Sequence, residues 1–137
     1  MLMRHLCIDL GDVRIGLATS DSMGICATGL ETYRRVESQK DLGYIADIVK
    51  RENIGRVVIG LPVNMDGTSG ERVEKARAFG EALRPLVQAE IAYQDERLST
   101  VAGERMLIEA GMRREKRKKV IDKIAATIIL QTYLDSH

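Results

Sequence analysis

Residues 6–20 read LCIDLGDVRIGLATS, two short apolar runs joined by a turn at Gly11-Asp12. Runs of this length, bounded by glycine and acidic residues, are typical of buried strands rather than of helices. A third apolar run, residues 25–33, follows a second turn at residues 21–24. Because connections this short join antiparallel neighbours, the sequence predicts a three-stranded antiparallel meander.

Beyond the meander, helical and strand patterns alternate. The pattern Ser38-x-x-Asp41 resembles a capping box and opens a helix whose apolar residues recur from Leu42 to Val49 at the spacing of one buried face. The fully apolar segment 57–61 predicts a fourth strand, and its position after a helix favours parallel pairing. The sequence therefore predicts βα units that extend the sheet of the meander.

The second half of the chain continues this order. The elements that it predicts are a second helix capped by Thr68-x-x-Glu71, a fifth strand at 91–94, a third helix from Ser99 or Thr100 to Gly111, and a last helix from about 119 to 134. The last helix is apolar on most sides, which indicates packing against the sheet. We therefore expect one α/β domain over residues 1–137, with a five-stranded mixed sheet flanked by helices.

Composition excludes several classes of protein. The chain has 137 residues, 45% hydrophobic and 30% charged, as in a soluble globular domain. Its apolar stretches are shorter than the roughly 18 to 20 residues of a membrane span, and the N-terminus does not resemble a signal peptide. Two isolated cysteines, Cys7 and Cys26, indicate buried thiols in a reducing compartment rather than disulfides. We expect a cytoplasmic protein without membrane contact.

Three acidic positions stand in apolar surroundings. Asp9 closes the first strand, the pair Asp95-Glu96 ends the fifth, and Asp122 lies in the first turn of the predicted last helix. Each has an ordinary explanation as a turn, cap or helix-dipole residue, but all three could share one edge of the sheet. With no histidine besides His5 and His137, carboxylates that bind Mg²⁺ or Mn²⁺ are the predicted chemistry, and such ions suit phosphodiester cleavage.

A concentrated run of positive charge precedes the last helix. The net charge is only +1, but residues 113–119 carry six basic residues and one acidic residue. A basic patch on a mildly acidic body indicates a polyanionic partner, although a solvated helix start or loop would also explain it. The residues concerned are Arg113, Arg114, Lys116, Arg117, Lys118 and Lys119.

Four segments in order resemble the motifs of one family. Residues 9–18 resemble the DxGxxRxGxA opening of the YqgF/RuvX family, residues 60–68 its GLPxNxDG loop, residues 95–100 its DERLST motif, and residues 121–135 its C-terminal helix. The resemblance spans essentially the whole chain and implies an RNase H-like fold related to the RuvC resolvases. Family members are described as Holliday junction resolvases and as nucleases of pre-16S rRNA 5′-end maturation.

The resemblance also implies roles for particular residues. The acidic residues of the family fall on Asp9, Glu96 and Asp122, as catalytic residues and metal ligands. Arg14 and Arg97 would hold phosphate or the acids. Lys123 stands where the family often has a small residue, and would contact phosphate or compete with metal. The implied partner is pre-rRNA or branched DNA, bound by a monomer or a homodimer.

Two other functions stay open at this point. An ATP-binding domain of the actin and sugar-kinase type also begins with an Asp-x-Gly hairpin, but it clasps nucleotide between two domains, and 137 residues supply one. A non-catalytic RNA- or DNA-binding module could use residues 113–119 alone. The presence of all three acids favours the nuclease over this module.

Overall fold

A computed structural model describes residues 3–63, 70–96 and 114–137, with side chains in the last range from residue 123 onward. The third helix predicted between Ser99 and Gly111 lies outside these residues. The strands are β1 (Arg4–Leu10), β2 (Arg14–Ser20), β3 (Ala27–Arg34), β4 (Ile54–Leu61) and β5 (Glu90–Asp95). The helices are α1 (Ser38–Arg51), α2 (Glu71–Leu83) and α3 (Arg114–Ser136), with a 3-10 turn at Arg84–Leu86.

The sheet has the order β3-β2-β1-β4-β5. β1 pairs antiparallel with β2, and β2 with β3, so the predicted meander is confirmed. β4 runs parallel to β1 and β5 runs parallel to β4, which confirms the predicted mixed sheet. This topology places β1 at the centre, with β4 between it and β5.

The two faces of the sheet pack against different helices. Alternate residues of each strand point to opposite faces, so β1 contributes to both. The α1/α2 face is covered by α1 and α2 and carries a core of large aliphatic residues that includes Leu6, Ile8, Ile15, Leu17, Val57 and Ile59. The α3 face is covered by α3 and carries Cys7, Ala18 and Val58 against Ala125, Ala126 and Ile129.

The starts of α1 and α2 differ from the capping patterns predicted from the sequence. The N-cap of α1 is Glu37, so the predicted cap Ser38 is already the first helical residue, and Glu37 makes no side-chain capping bond. α2 starts at Glu71 with Gly70 as its N-cap, and Thr68 lies outside the described residues. The capping prediction was wrong for α1 because Asp41 bonds the backbone N–H of Val36, before the helix, with an O···N distance of 3.0 Å.

The last helix is longer than predicted. α3 begins at Arg114 instead of residue 119, so most of the basic segment 113–119 is helical. Arginine, lysine and glutamate are good helix formers, which allows the helix to extend through this charged run. Asp122 is therefore two turns inside α3 and not in its first turn. Since the helix dipole acts mainly within the first turn, it gives little reason for an acid at this position.

The two cysteines differ in their surroundings. Both are free thiols; Cys7 is buried in β1 and Cys26 is exposed. The expectation that both are buried was wrong for Cys26, because it precedes β3 in the turn that the Asp21 carboxylate holds, with Asp21 Oδ1 accepting from the Ile25 N–H at 2.7 Å. Of the helices in the described part of the chain, none has the length and apolar character needed to cross a membrane.

Candidate active site

Asp9 lies at the carboxyl end of the central strand, on the α3 face. The residue is 8% exposed, and its register partner on β2 is Gly16. The turn after it closes through backbone, because the Gly11 N–H donates to the carbonyl oxygen of Arg14 at 2.9 Å. A carboxylate this deeply buried at the end of an apolar strand is costly to keep charged unless donors or a cation surround it.

Glu96 reaches the same face from β5, although β4 separates β5 from β1. It follows directly after β5, and its side chain lies over Gly60 of β4. A Cβ atom placed on Gly60 would lie 3.3 Å from both Cγ and Cδ of Glu96, and 3.1 Å from Cδ1 of Ile129 in α3. The missing side chain of Gly60 therefore leaves the space through which Glu96 extends across β4.

Strand alternation distinguishes the two acids at the end of β5. Tyr93 packs with the core of the α1/α2 face, and Asp95, two residues later, belongs to that same face. Glu96 instead lies beside Gly60 and Ile129, on the face of Asp9. Of the two neighbouring acids, Glu96 is thus the one that shares a face with Asp9.

The charges of Asp9 and Glu96 both affect the pKa of the Cys7 thiol. Burial raises the pKa of this thiol well above its usual value, and the negative charges of Asp9 and Glu96 raise it further. The charges of both acids thus act on one thiol, as expected for acids on the same face of the sheet. The thiol stays protonated and is no nucleophile at neutral pH.

Arg35 holds the turn that follows Asp9 through hydrogen bonds to its backbone. Nη1 of Arg35 donates to the carbonyl oxygen of Gly11 at 2.9 Å, and the Arg35 N–H donates to the carbonyl oxygen of Val13 at 2.8 Å. The Arg35 guanidinium is itself paired with the buried Asp41, with Nε 3.0 Å from Oδ2. The start of α1 and the end of β1 are thereby joined.

Asp122 shares the helical phase of buried residues in α3. Residues three and four positions apart lie on the same face of a helix, and Ala125 and Ala126 are both buried against the sheet. The backbone of Asp122 therefore belongs to the sheet-facing side of α3, and its side chain lies outside the described part. Within that part, no three acidic, histidine or cysteine residues form a group that could hold a metal ion.

The predicted basic residues are only partly described. Arg14 is half-buried at the start of β2, and Lys123 is exposed on α3. The stem of Lys123 crosses β3, since a Cβ on Gly29 would lie 2.7 Å from its Cγ. Arg97 and Arg113 lie outside the described residues. In the first turns of α3 only the backbone is described, at Arg114, Lys116, Arg117, Lys118 and Lys119.

Gly60 belongs to one of the family-like motifs, but no role was predicted for it. Gly60 opens the segment that resembles the GLPxNxDG loop, but its use depends on how β4 lies between β1 and β5. A sequence signal does exist, because a glycine inside an apolar strand often marks a close approach of another group. That signal does not say which group approaches.

Comparisons with known proteins agree on one family and one fold. A model of the family described as "RuvX: Holliday junction resolvase" matches residues 3–136. A protein of Streptococcus equi subsp. equi named "putative pre-16S rRNA nuclease" is 51% identical over 97% of this chain and 98% of its own length. A protein of the same name from Bacillus cytotoxicus is 48% identical over 98% of this chain and 99% of its own length.

Solved structures with little sequence identity have the same fold. Thermus thermophilus RuvC in complex with a Holliday junction matches with a TM-score of 0.62 and 12% identity, covering 98% of this chain and 96% of RuvC. The fowlpox virus Holliday junction resolvase matches with a TM-score of 0.58 and 14% identity, covering 98% of this chain and all of the resolvase chain. The predicted RNase H-like fold is therefore confirmed.

Proposed function

The chain belongs to the RuvX family, and from this membership we propose that it is a metal-dependent endonuclease that hydrolyses phosphodiester bonds in structured nucleic acid. The proposed substrate is pre-16S rRNA, which the names of its relatives give, and the motif resemblance adds processing at the 5′ end. The observation that carries the proposal is the convergence of Asp9 and Glu96 on one sheet face, across Gly60. Such a nuclease would act in the cytoplasm.

We propose Asp9, Glu96 and Asp122 as the catalytic acids and as ligands of Mg²⁺ or Mn²⁺. Carboxylate oxygens are the donors that these ions prefer, and a buried pair of acids is favoured when a cation offsets their repulsion. Bound ions would activate water and stabilise the leaving oxygen of a phosphodiester. The phase of Asp122 in α3 supports its inclusion, since the neighbouring residues Ala125 and Ala126 face the sheet.

The proposed role of the basic residues is to hold the nucleic acid backbone. Arg14 starts β2 on the α3 face, and Lys123 is exposed on the helix that covers that face. Phosphate contacts by lysine and arginine supply most of the sequence-independent affinity for nucleic acids. The further residues proposed for this role are Arg97, Arg113, Arg114, Lys116, Arg117, Lys118 and Lys119.

A second candidate function is Holliday junction resolution. The fold of two junction resolvases and the description of the matching family both favour it. A junction has two-fold symmetry, so paired incisions would require a homodimer with two active sites. Cleavage of an rRNA precursor requires one active site and is compatible with a monomer.

Cleavage assays separate these functions. End-labelled precursor 16S rRNA fragments, a four-way DNA junction and an unbranched duplex of the same DNA sequence would be incubated with purified protein and Mg²⁺, Mn²⁺ or EDTA. We expect metal-dependent cleavage of the RNA and none in EDTA. Paired incisions in the junction, without RNA cleavage, would favour the resolvase. Tight binding without cleavage of any substrate would contradict both and assign the chain as a non-catalytic binding module.

A further inference from the structure

Two arginines face each other across β2 and β3 at the end of the sheet that carries Asp9. Arg14 and Arg34 are register partners in the antiparallel pair, and Gly16 and Thr32 form the preceding row on the same face. Gly16 is in turn the partner of Asp9. Since alternate residues share a face, Arg14 and Arg34 lie on the α3 face, one row beyond Asp9.

The positive charges of Arg14 and Arg34 repel each other in this arrangement. Like charges directly opposite each other on neighbouring strands destabilise a sheet, because their Cβ atoms are only about 4.5–5.5 Å apart. Arg34 is exposed, and within the described ranges its side chain has neither a hydrogen bond nor an ion pair. Arg14 is half-buried and does have an interaction partner. An anion placed between the two guanidinium groups would remove the repulsion.

The direction of α3 brings the basic segment towards the same corner. Gln131 bonds the Ile25 carbonyl oxygen at 3.0 Å and the Ala27 N–H at 2.9 Å, before and at the start of β3. Lys123, two turns earlier in α3, lies over Gly29, further along β3. The helix axis thus runs along β3, and its first turns extend towards the end of the strand at Arg34.

We propose that Arg34, together with Arg14, binds the phosphodiester backbone of a nucleic acid strand beside the acids of the active site. Arg34 belongs to none of the motifs and is a new binding residue. Gly16, buried in β2 between this arginine pair and Asp9, adds no side chain that would separate them. The strand would enter over the end of β2 and β3 and reach Asp9 in the next row. This inference rests on the proposed nuclease function.

The test compares two single-arginine variants. Arg34→Ala removes the proposed contact, and Arg51→Ala removes the same charge from the end of α1 on the opposite side of the sheet. Binding of a fluorescein-labelled RNA hairpin with a single-stranded 5′ extension would be measured by anisotropy in EDTA, which blocks metal-dependent cleavage, from 25 to 200 mM KCl. Thermal unfolding of both variants checks the fold.

We expect Arg34→Ala to weaken binding about three- to tenfold at low salt, and to reduce the log–log salt slope by about 0.7, the value for one lost contact to a single strand. Arg34→Lys should restore most of the affinity, and Arg51→Ala should bind as wild type does. Equal affinity and slope for Arg34→Ala and Arg51→Ala would overturn the proposal. Because binding is measured without cleavage, the binding result is independent of the nuclease assay. The proposal on Arg34 and the proposed nuclease function can therefore fail separately.

Discussion

The two faces of the sheet are built from different kinds of residue. On the α1/α2 face, large aliphatic side chains such as Ile8, Leu17 and Ile59 are completely buried. On the α3 face, the residues beneath the helix are Cys7, Ala18 and Val58, and the glycines at 16, 29 and 60 contribute no side chains. The polar side chains Asp9, Glu96 and Arg14 are on this second face.

A strand between two such faces stabilises the fold with one set of side chains and carries polar groups with the other. Burial of aliphatic surface stabilises the fold by about 25 cal/mol per Å², and the α1/α2 face supplies much of it. The α3 face gives up part of that gain, since its small residues bury less surface. The space that they leave admits charged side chains, beside which the proposed function places a cation and a phosphate. Substitutions on the two faces should therefore have opposite consequences.

The largest expected effect is on cleavage by Asp9→Asn. The amide is nearly isosteric with the carboxylate but lacks its charge, so metal-dependent cleavage should fall by on the order of 10²–10³-fold or more. Stability should be unchanged or slightly higher without metal, because the repulsion with Glu96 is removed. Single-turnover cleavage and urea unfolding measure the two effects. Undiminished cleavage by Asp9→Asn would contradict the assignment of the site.

The matched substitution on the other face is Ile8→Ala, one residue earlier in β1. Ile8 is fully buried, so its truncation should lower the free energy of unfolding by about 2–5 kcal/mol. Cleavage per folded molecule should be kept, because the side chain points away from the acids. Urea unfolding and single-turnover cleavage well below the melting temperature test this. If Ile8→Ala lost cleavage without losing stability, the division between the faces would be wrong.

Most of this division could be predicted from the sequence, because it depends on strand periodicity. The runs at 6–10, 15–20 and 57–61 predicted β1, β2 and β4, and the motif resemblance named Asp9 and Glu96. Residue patterns alone could not separate Asp95 from Glu96, because that choice depends on where β5 ends. The crossing of β4 at Gly60 depends on the packing of three strands, which no local pattern contains.

Neither the start of α3 nor the pairing of Arg34 with Arg14 could be predicted from the sequence. A basic run such as 113–119 is compatible with a solvated loop and with a helix, since arginine and lysine tolerate both. Arg34 carries no motif, and its position opposite Arg14 follows from the register of β2 and β3, which contains an irregularity between Leu17 and Ala18. An extra residue of this kind shifts every later partner.

The next largest expected effect is the loss of stability when Asp41, in the first turn of α1, loses its charge. It is 1% exposed and accepts hydrogen bonds from the Tyr33 hydroxyl at 2.9 Å, from Arg35 Nε at 3.0 Å and from the Val36 N–H at 3.0 Å. Burial alone would raise the pKa of Asp41, but these donors outweigh it and lower the pKa. The charge of Asp41 is therefore held by contacts within the fold.

A lowered pKa stabilises the fold above the unfolded value of about 3.9, and this contribution is lost as pH falls through the folded pKa. Asp41→Asn should therefore cost about 1–3 kcal/mol at pH 7, and the difference from wild type should shrink below about pH 4. Asp47→Asn, at an exposed position of the same helix, should show little cost at either pH. Urea midpoints at several pH values test this. A cost independent of pH would contradict the charged role.

The smallest expected effect is that of one added methyl group, in Gly60→Ala. The new Cβ would lie 3.3 Å from Glu96 Cγ and 3.1 Å from Ile129 Cδ1, closer than ordinary van der Waals contact, so both neighbours must shift by a few tenths of an ångström. A displaced Glu96 should reduce single-turnover cleavage about tenfold. Stability should change by less than about 1 kcal/mol, since the tight contact is offset by the smaller entropy of the unfolded chain.

Gly43→Ala is the matched control, because it makes the same chemical change where a Cβ meets nothing within 4 Å. Gly43 is exposed within α1, so alanine should stabilise the helix by about 0.5–1 kcal/mol and leave cleavage unchanged. The two variants thus separate the empty space that Glu96 needs from the flexibility of glycine. Full cleavage by a folded Gly60→Ala protein would show that Glu96 does not depend on the gap in β4, and the path of this carboxylate to the Asp9 side would have to be abandoned.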